Sequence, residues 1–238
     1  MREDAKVFGI GFHKTGTSSL AAALRILGYR VIGHLRVMGY FGAKDPRACR
    51  SALRRACRIV ARFDAVQDEP WFVLYKELDT RFPGSKFILT TRSPDPWIGS
   101  VVRHFGNRSS AARRWIYGVG YPKGNELTYL SRYRQHNQEV VDYFRERPRD
   151  LLLLDITAGE GWEKLCPFLG VTVPAIPFPR VNVASSGEKR PWFRMRWWIR
   201  LGIELLPRQV SKPTLAAVVR LFPGNATSER TATRRPPS

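Results

Sequence analysis

The stretch Phe8-Gly9-Ile10-Gly11-Phe12-His13-Lys14-Thr15-Gly16-Thr17-Ser18-Ser19-Leu20 decides how the rest of the chain is read. It is an apolar strand that ends in a glycine- and hydroxyl-rich turn and opens directly into a helix. Backbone N–H groups at a fresh helix N-terminus converge on one point, and their summed dipole favours an anion there without a dedicated side chain. The turn therefore predicts a phosphate cradle.

The position of the lysine separates this turn from the commonest phosphate loop. In Gly-x-x-x-x-Gly-Lys-Ser/Thr the lysine follows the second glycine and reaches the outer phosphates of a nucleoside triphosphate. Gly11 and Gly16 keep that glycine spacing, but Thr17 stands where the lysine is required, and Lys14 lies inside the loop. A cation there sits over the middle of a bound anion, near a bridging oxygen. The alternative, a glycine-containing turn that binds nothing, has to explain why strand, turn, lysine, hydroxyls and helix coincide.

Phe12 to Leu20 resembles the 5'-phosphosulfate loop of the P-loop-related sulfotransferases, whose sulfuryl donor is 3'-phosphoadenosine 5'-phosphosulfate. The resemblance implies a second element downstream: a strand, an arginine, and a serine eight residues later, together gripping the donor's 3'-phosphate. Lys86-Phe87-Ile88-Leu89-Thr90-Thr91 reads as a strand, Arg92 follows it, and Ser100 falls at that spacing. An arginine at the carboxyl end of a strand enters the crevice where ligands bind in open α/β folds. Pro94 or Pro96 suits a first helical turn, which puts Ser100 one to two turns into that helix. Taken alone, Arg92 also fits a helix-capping salt bridge. The resemblance to a bacterial-type sulfotransferase family extends from about Val7 to Asn182. It takes in Phe82-Pro83-Gly84-Ser85-Lys86, Trp162-Glu163-Lys164-Leu165-Cys166-Pro167-Phe168-Leu169-Gly170 and Pro177-Phe178-Pro179-Arg180-Val181-Asn182. The Arg-Lys-Gly element of the cytosolic animal enzymes has only Lys189 and Arg190 as a loose substitute.

Carried over residue by residue, the resemblance assigns the donor site to His13, Lys14, Thr15, Gly16, Thr17, Ser18, Ser19, Arg92 and Ser100. The donor is then a co-substrate, and the chemistry requires no metal. Sulfuryl transfer builds charge on the bridging and equatorial oxygens, so fixed donors and a cation carry most of the catalysis, with Lys14 as that cation. The acceptor, a hydroxyl or an amine, must give its proton to a base. Aligning Val66-Gln67-Asp68-Glu69-Pro70 on its proline puts Asp68 where cytosolic sulfotransferases carry a histidine, so Asp68 is the first candidate. It also fits a cap for a helix beginning near Trp71. His34, after the second strand, is the second candidate, while His13 and His104 line or tune the pocket.

With 238 residues, 43% of them hydrophobic, and seven tryptophans, the chain can bury one substantial core. Lys and Arg number 40 against 20 Asp and Glu, a formal charge of +20, which calls for an anionic partner. The donor nucleotide, an acidic acceptor or a membrane surface would serve. Nucleic acid is disfavoured, because no zinc-finger, RRM or helix-turn-helix pattern is present. Cys49, Cys57 and Cys166 lack metal-ligand spacing and read as reduced thiols. The charged start Met1-Arg2-Glu3-Asp4 is unlike a secretory leader, and a cytoplasmic address is expected.

Apolar periodicity predicts strands over 6–11, 29–32, 64–67, 86–91 and 151–154, and helices over 18–27, 45–62, 71–82, 96–105, 126–147 and 162–169. Strands separated by helices argue an α/β fold with a central parallel sheet covered on both faces, like that of P-loop nucleotide-binding proteins. Residues 1–182 form that domain, 183–226 a basic aromatic helical extension, and 227–238 a disordered tail. From Arg180 onward there are twelve Lys/Arg and three acids. Within 191–206, arginines interleave with tryptophans, a composition suited to an anionic membrane interface and equally to packing on the domain. Residues 33–44 and 106–125 read as mobile acceptor loops around a small-molecule, glycolipid or carbohydrate acceptor. Two other classes remain: a P-loop kinase or ATPase, for which Leu151-Leu152-Leu153-Leu154-Asp155 imitates a magnesium-binding strand, and a non-catalytic anion- or membrane-binding protein with a vestigial loop.

Overall fold

Successive residues of a strand face opposite sides of its sheet, so a strand that is apolar at every position must be covered twice. That holds for β1 (Val7–Gly9) and for the middle of β4 (Lys86–Thr90), from Phe87 to Leu89. Phe8, Phe87 and Leu89 enter one apolar cluster, while Val7 and Ile88 enter another on the opposite face. The computed structural model describes residues 5–34, 54 and 56–181. Most of the predicted loop over 33–44, Cys49, the first part of the predicted helix over 45–62, and everything from 182 onward, including 191–206 and the tail, lie outside the described residues.

β1 is central, with β3 (Ala65–Gln67) on one side and β4 on the other; β2 (Val31–Ile32) and β5 (Leu151–Leu154) complete a sheet of order β2-β3-β1-β4-β5. Every pairing is parallel, with Val7 opposite both Ala65 and Lys86 and with Phe87 opposite Leu151. One face carries α1 (Thr17–Ile26) and α7 (Trp162–Leu169), which pack Leu20, Leu24 and Leu165 onto the sheet. The other is covered by α2 (described over 56–60), α3 (Tyr75–Arg81), α4 (Pro94–Phe105), α5 (Ala111–Tyr117) and α6 (Glu126–Tyr143). Its core is aromatic, with Phe12, Phe72, Trp97, Tyr129 and Tyr133 fully or almost fully buried. The three-layer α/β architecture agrees with the sequence reading. Among the described residues no helix is long and apolar enough to cross a membrane.

Three predicted segments differ. Residues 71–82 are two elements, because Trp71–Val73 winds as a 3-10 turn, with Val73 N–H bonded to Pro70 O and Leu74 N–H to Trp71 O, before α3 starts. Trp71 and Phe72 are completely buried there, and the Trp71 indole N–H donates to Gly33 O at 2.8 Å. Within 106–125 the structure holds α5 rather than an open loop. Ser110 caps it by accepting from Arg113 N–H, and the buried Arg113 guanidinium donates to Gly120 O. An arginine-rich, glycine-flanked sequence reads as mobile only while those internal acceptors are unknown. Finally, β5 is an outer strand, leaving Leu153 48% exposed; four leucines in a row do not say which of them faces a neighbour.

Parallel strands end at one edge of the sheet. The loop after β1, the residues after β3 and the residues after β4 therefore meet. The closest approach is Gly11 against β4, where a Cβ would lie 2.0 Å from Thr90 Oγ1 and 2.3 Å from Thr90 O. Both atoms belong to a strand locked on either side, so neither can yield. Gly11→Ala is expected to destabilise the protein by on the order of 3 kcal/mol, the upper range of overpacking, measured as a lowered urea midpoint with unchanged slope. A loss below about 0.5 kcal/mol would show that the edge relaxes.

Candidate functional site

Between β1 and α1 the chain turns its carbonyls one way and its amides the other. Three successive oxygens are each taken by a side chain. Phe12 O accepts from Thr15 Oγ1 at 2.5 Å, His13 O from the Trp97 indole N–H at 3.0 Å, and Lys14 O from Arg92 Nη1 at 3.3 Å. Thr15 Oγ1 also lies 2.6 Å from Thr90 Oγ1, which ties the loop to β4. Gly16 adopts φ 99° and directs its carbonyl back into α1, accepting from Ser19 and Leu20 N–H. Among the described residues nothing accepts from the N–H groups of Lys14, Thr15, Gly16 or Thr17. Four donors with no protein acceptor at a helix N-terminus make an anion cradle.

The underside of the loop is an aromatic bed. The Phe12 ring stacks on His136 at 4.4 Å, and His136 Nε2–H donates to Ile10 O at 2.9 Å. The side chain of His13 turns inward, with Nε2 2.7 Å from Tyr117 Oη. Burial lowers the pKa of both imidazoles to about 3; Arg113 adds to the effect at His13, and Arg132 adds to it at His136. They are neutral props at ordinary pH. The Ser19 hydroxyl accepts from Val181 N–H at 2.9 Å, fastening the chain beyond α7 across the start of α1.

Above the loop the charges converge. Burial lowers the Lys14 pKa from its ordinary 10.5, Arg92 and Arg103 lower it further, and Asp68 pulls it back. Lys14 therefore lies among two guanidiniums and a carboxylate. Lys14 (φ 69°) and Asp68 (φ 74°) are the two non-glycine residues with positive φ among the described residues. Each holds a conformation costing about 1–2 kcal/mol, and such strain concentrates at functional positions. Arg92 follows β4, half-buried, with Nε lacking any hydrogen-bond partner among the described residues. Ser100 is half-buried on α4, two turns after Pro94 opens that helix.

Asp68 Oδ1 accepts from Glu69 N–H at 2.9 Å, and its main-chain oxygen accepts from Trp71 N–H. The 3-10 turn that follows receives no side-chain cap. Burial raises the Asp68 pKa, partly offset by the Glu69 N–H bond, His34 and Lys14. His34 is exposed, within electrostatic reach of that carboxylate.

Sequence reasoning passed over four groups here: Glu69, Arg103, Arg113 and Tyr117. Glu69 is 8% exposed, and its pKa rises to about 7 through burial first and Asp68 second, with Arg113 opposing. Its signal in the sequence was the doublet Asp68-Glu69 before Pro70, which does not say which carboxyl is enclosed. Arg103 was visible as a cation three residues after Ser100 on one helix face. Arg113 and Tyr117 sit in the segment read as a loop. Among the described residues no cluster of His, Cys, Asp and Glu has the makings of a metal site.

Because folding raises the Glu69 pKa above its ordinary 4.5, stability is full below pH 4.5 and is lost as pH rises through about 7. Glu69→Gln keeps the shape and removes the charge. It is expected to leave stability unchanged near pH 4 and to raise it at pH 8 by up to about 3 kcal/mol, at about 1.4 kcal/mol per pKa unit, measured by urea unfolding. Equal stability of the two proteins at both pH values would mean that Glu69 is solvated.

Over residues 6–126 and 109–186 the chain matches the family described as Sulfotransferase domain. Ava biosynthesis cluster protein M of Aspergillus versicolor is 29% identical over 234 residues, covering 82% of this chain and 86% of that protein. A crystal structure of a sulfotransferase from Alicyclobacillus acidocaldarius is similar at 17% identity and a TM-score of 0.48, covering 84% of this chain and 92% of the other. With most of its described domain matched, from the strand before the loop to the segment beyond α7, the chain belongs to the sulfotransferase domain family.

Proposed function

We propose that the protein moves a sulfuryl group from 3'-phosphoadenosine 5'-phosphosulfate to a hydroxyl or amine of a small acceptor. The observation that carries this reading is the arrangement around Lys14: a cation in the middle of an amide cradle, with Arg92 bonded to its carbonyl. A donor with two separate phosphates fits two anion sites. One is the set of free amides from Lys14 to Thr17, with the Thr17 and Ser18 hydroxyls at the start of α1. The other is the guanidinium of Arg92, whose buried Nε lacks a partner, with Ser100 on the next helix.

When bound, the donor supplies an electrophilic sulfur attached to a phosphate leaving group. The amides hold the 5'-phosphate, and the Lys14 ammonium stabilises charge developing on the bridging oxygen; enclosure strengthens that interaction. Thr15, Gly16, His13 and Ser19 serve from behind, as hydroxyl tie, turn, prop and fastener. Asp68 accepts the acceptor's proton. Its raised pKa makes it a stronger base than an ordinary carboxylate, and its strained backbone holds it beside Lys14.

The kinase reading is disfavoured by Asp155, the residue that imitated a magnesium ligand. Its Oδ1 accepts from Ala158 N–H at 2.9 Å and Thr157 Oγ1 at 2.6 Å as a cap, and its strand is separated from β1 by β4. The name of the Aspergillus relative, a biosynthesis cluster protein, favours a biosynthetic small molecule as acceptor over a glycolipid or carbohydrate. A cytoplasmic setting and a membrane contact through 191–206 remain part of this proposal.

Calorimetric titration tests the donor. The wild type is expected to bind 3'-phosphoadenosine 5'-phosphate in preference to ATP-magnesium, with Arg92→Ala weakening the former by about 2 kcal/mol or more, the scale of a lost charge-assisted bond. Preference for ATP-magnesium, or binding of neither, returns the loop to the kinase or vestigial readings. The pH profile tests the base. Asp68 must be ionised and Lys14 charged, so kcat/KM should rise along an acid limb above the ordinary carboxylate range and fall along an alkaline limb below 10.5. Asp68→Asn should remove the acid limb with roughly 10²-fold or more of the rate. An acid limb persisting in that variant would assign the proton to Glu69 or His34.

A further inference from the structure

Arg92 leaves the sheet at a point where its main chain has nothing left to pair with. Thr91 N–H makes the last bond to β5, at 3.1 Å to Leu154 O, and α4 begins at Pro94. The orphaned groups are taken by one atom: Tyr133 Oη accepts from Arg92 N–H at 2.9 Å and donates to Arg92 O at 2.8 Å. Holding both main-chain groups of one residue fixes the peptide planes on either side and hence the direction of its Cα–Cβ bond. The Tyr133 ring, 1% exposed, stacks on Trp97 with centroids 4.1 Å apart and planes 12° apart. Trp97, fully buried, passes its indole N–H to His13 O, and Arg92 Nη1 closes the circuit on the adjacent Lys14 O.

We infer that Tyr133, stacked on Trp97, is a positioning residue that fixes Arg92 relative to the Lys14 loop and so sets the separation of the two anion sites, an inference that rests on the donor reading above. Packing explains the rings but not the polar atoms. Phenylalanine at 133 would fill the same space and leave two half-buried main-chain groups without this partner. Burial also raises the phenol's pKa, keeping the hydroxyl able to donate. Selectivity for a nucleotide with two phosphates at one fixed distance follows from the circuit, because it holds Arg92 at a set distance from the loop. The Tyr133 hydroxyl bonds the Arg92 main chain, whereas the Trp97 indole bonds the loop that every 5'-phosphate must use.

Titrating wild type, Tyr133→Phe and Trp97→Phe with 3'-phosphoadenosine 5'-phosphate and with adenosine 5'-phosphate separates these roles. Tyr133→Phe is expected to weaken the bisphosphate roughly tenfold and the monophosphate by less than about twofold, the difference expected when one hydrogen-bonded support of Arg92 is lost. Trp97→Phe is expected to weaken both nucleotides by a similar factor. A purely structural role lowers the thermal midpoint and costs both ligands equally in Tyr133→Phe; that result, or an unchanged ratio, overturns the positioning role while the donor reading stands. A wild type that binds the two nucleotides equally overturns the donor reading and the positioning role together.

Discussion

An anion can approach a peptide chain only where amide hydrogens face it and carbonyl oxygens do not, and the loop after β1 meets that condition by engaging three successive oxygens with side chains. Phe12 O, His13 O and Lys14 O are taken by Thr15, Trp97 and Arg92. Released from that hold, the peptides could rotate and present oxygen to the ligand, and the dipole of α1 would lose its sign advantage. The close contact of Gly11 with Thr90 and the bond between Thr15 and Thr90 serve the same end, because they press the loop against the strand that delivers Arg92. The three layers of the fold bring these elements to one edge.

Charge at that edge is arranged rather than merely accumulated. A formal excess of 20 positive charges says that anions are welcome somewhere. The structure puts Lys14 among Arg92, Arg103 and Asp68, so that burial and like charge lower its pKa while one carboxylate restrains the fall. Next to it, Asp68 and Glu69 both titrate above the ordinary carboxylate range, chiefly through burial. A lysine eased toward neutrality beside carboxyls eased toward protonation is costly to fold. Such groups are tolerated where ligand charge completes the balance.

Much of the architecture was readable in advance because it depends on local sequence. The strand-turn-helix at 8–20, the strand before Arg92 and the proline that opens α4 all follow from period, turn chemistry and residue type over a dozen positions. The misread segments had sequences compatible with two structures. Residues 106–125 read as a loop until Arg113 finds Gly120 O, and the four leucines at 151–154 do not say which of them is exposed until the strand's place at the sheet edge is known. Asp155 shows the same limit: as a residue after an apolar strand it imitated a metal ligand, while its hydrogen bonds make it a cap.

Sequence alone determined the glycine- and hydroxyl-rich turn between strand and helix, the place of its lysine at position 14, and the spacing of Arg92 and Ser100, since each is a matter of residue type at fixed positions along the chain. Tertiary structure decided which hydroxyls face inward, as with Thr15 and Ser19, and which histidines are props rather than acids or bases, as with His13 and His136. It also decided that Tyr133, 41 residues from Arg92, holds that arginine's main chain. Such assignments depend on burial and on bonds between residues distant in sequence. No periodicity or spacing records them, because they exist only once the strands have been brought side by side.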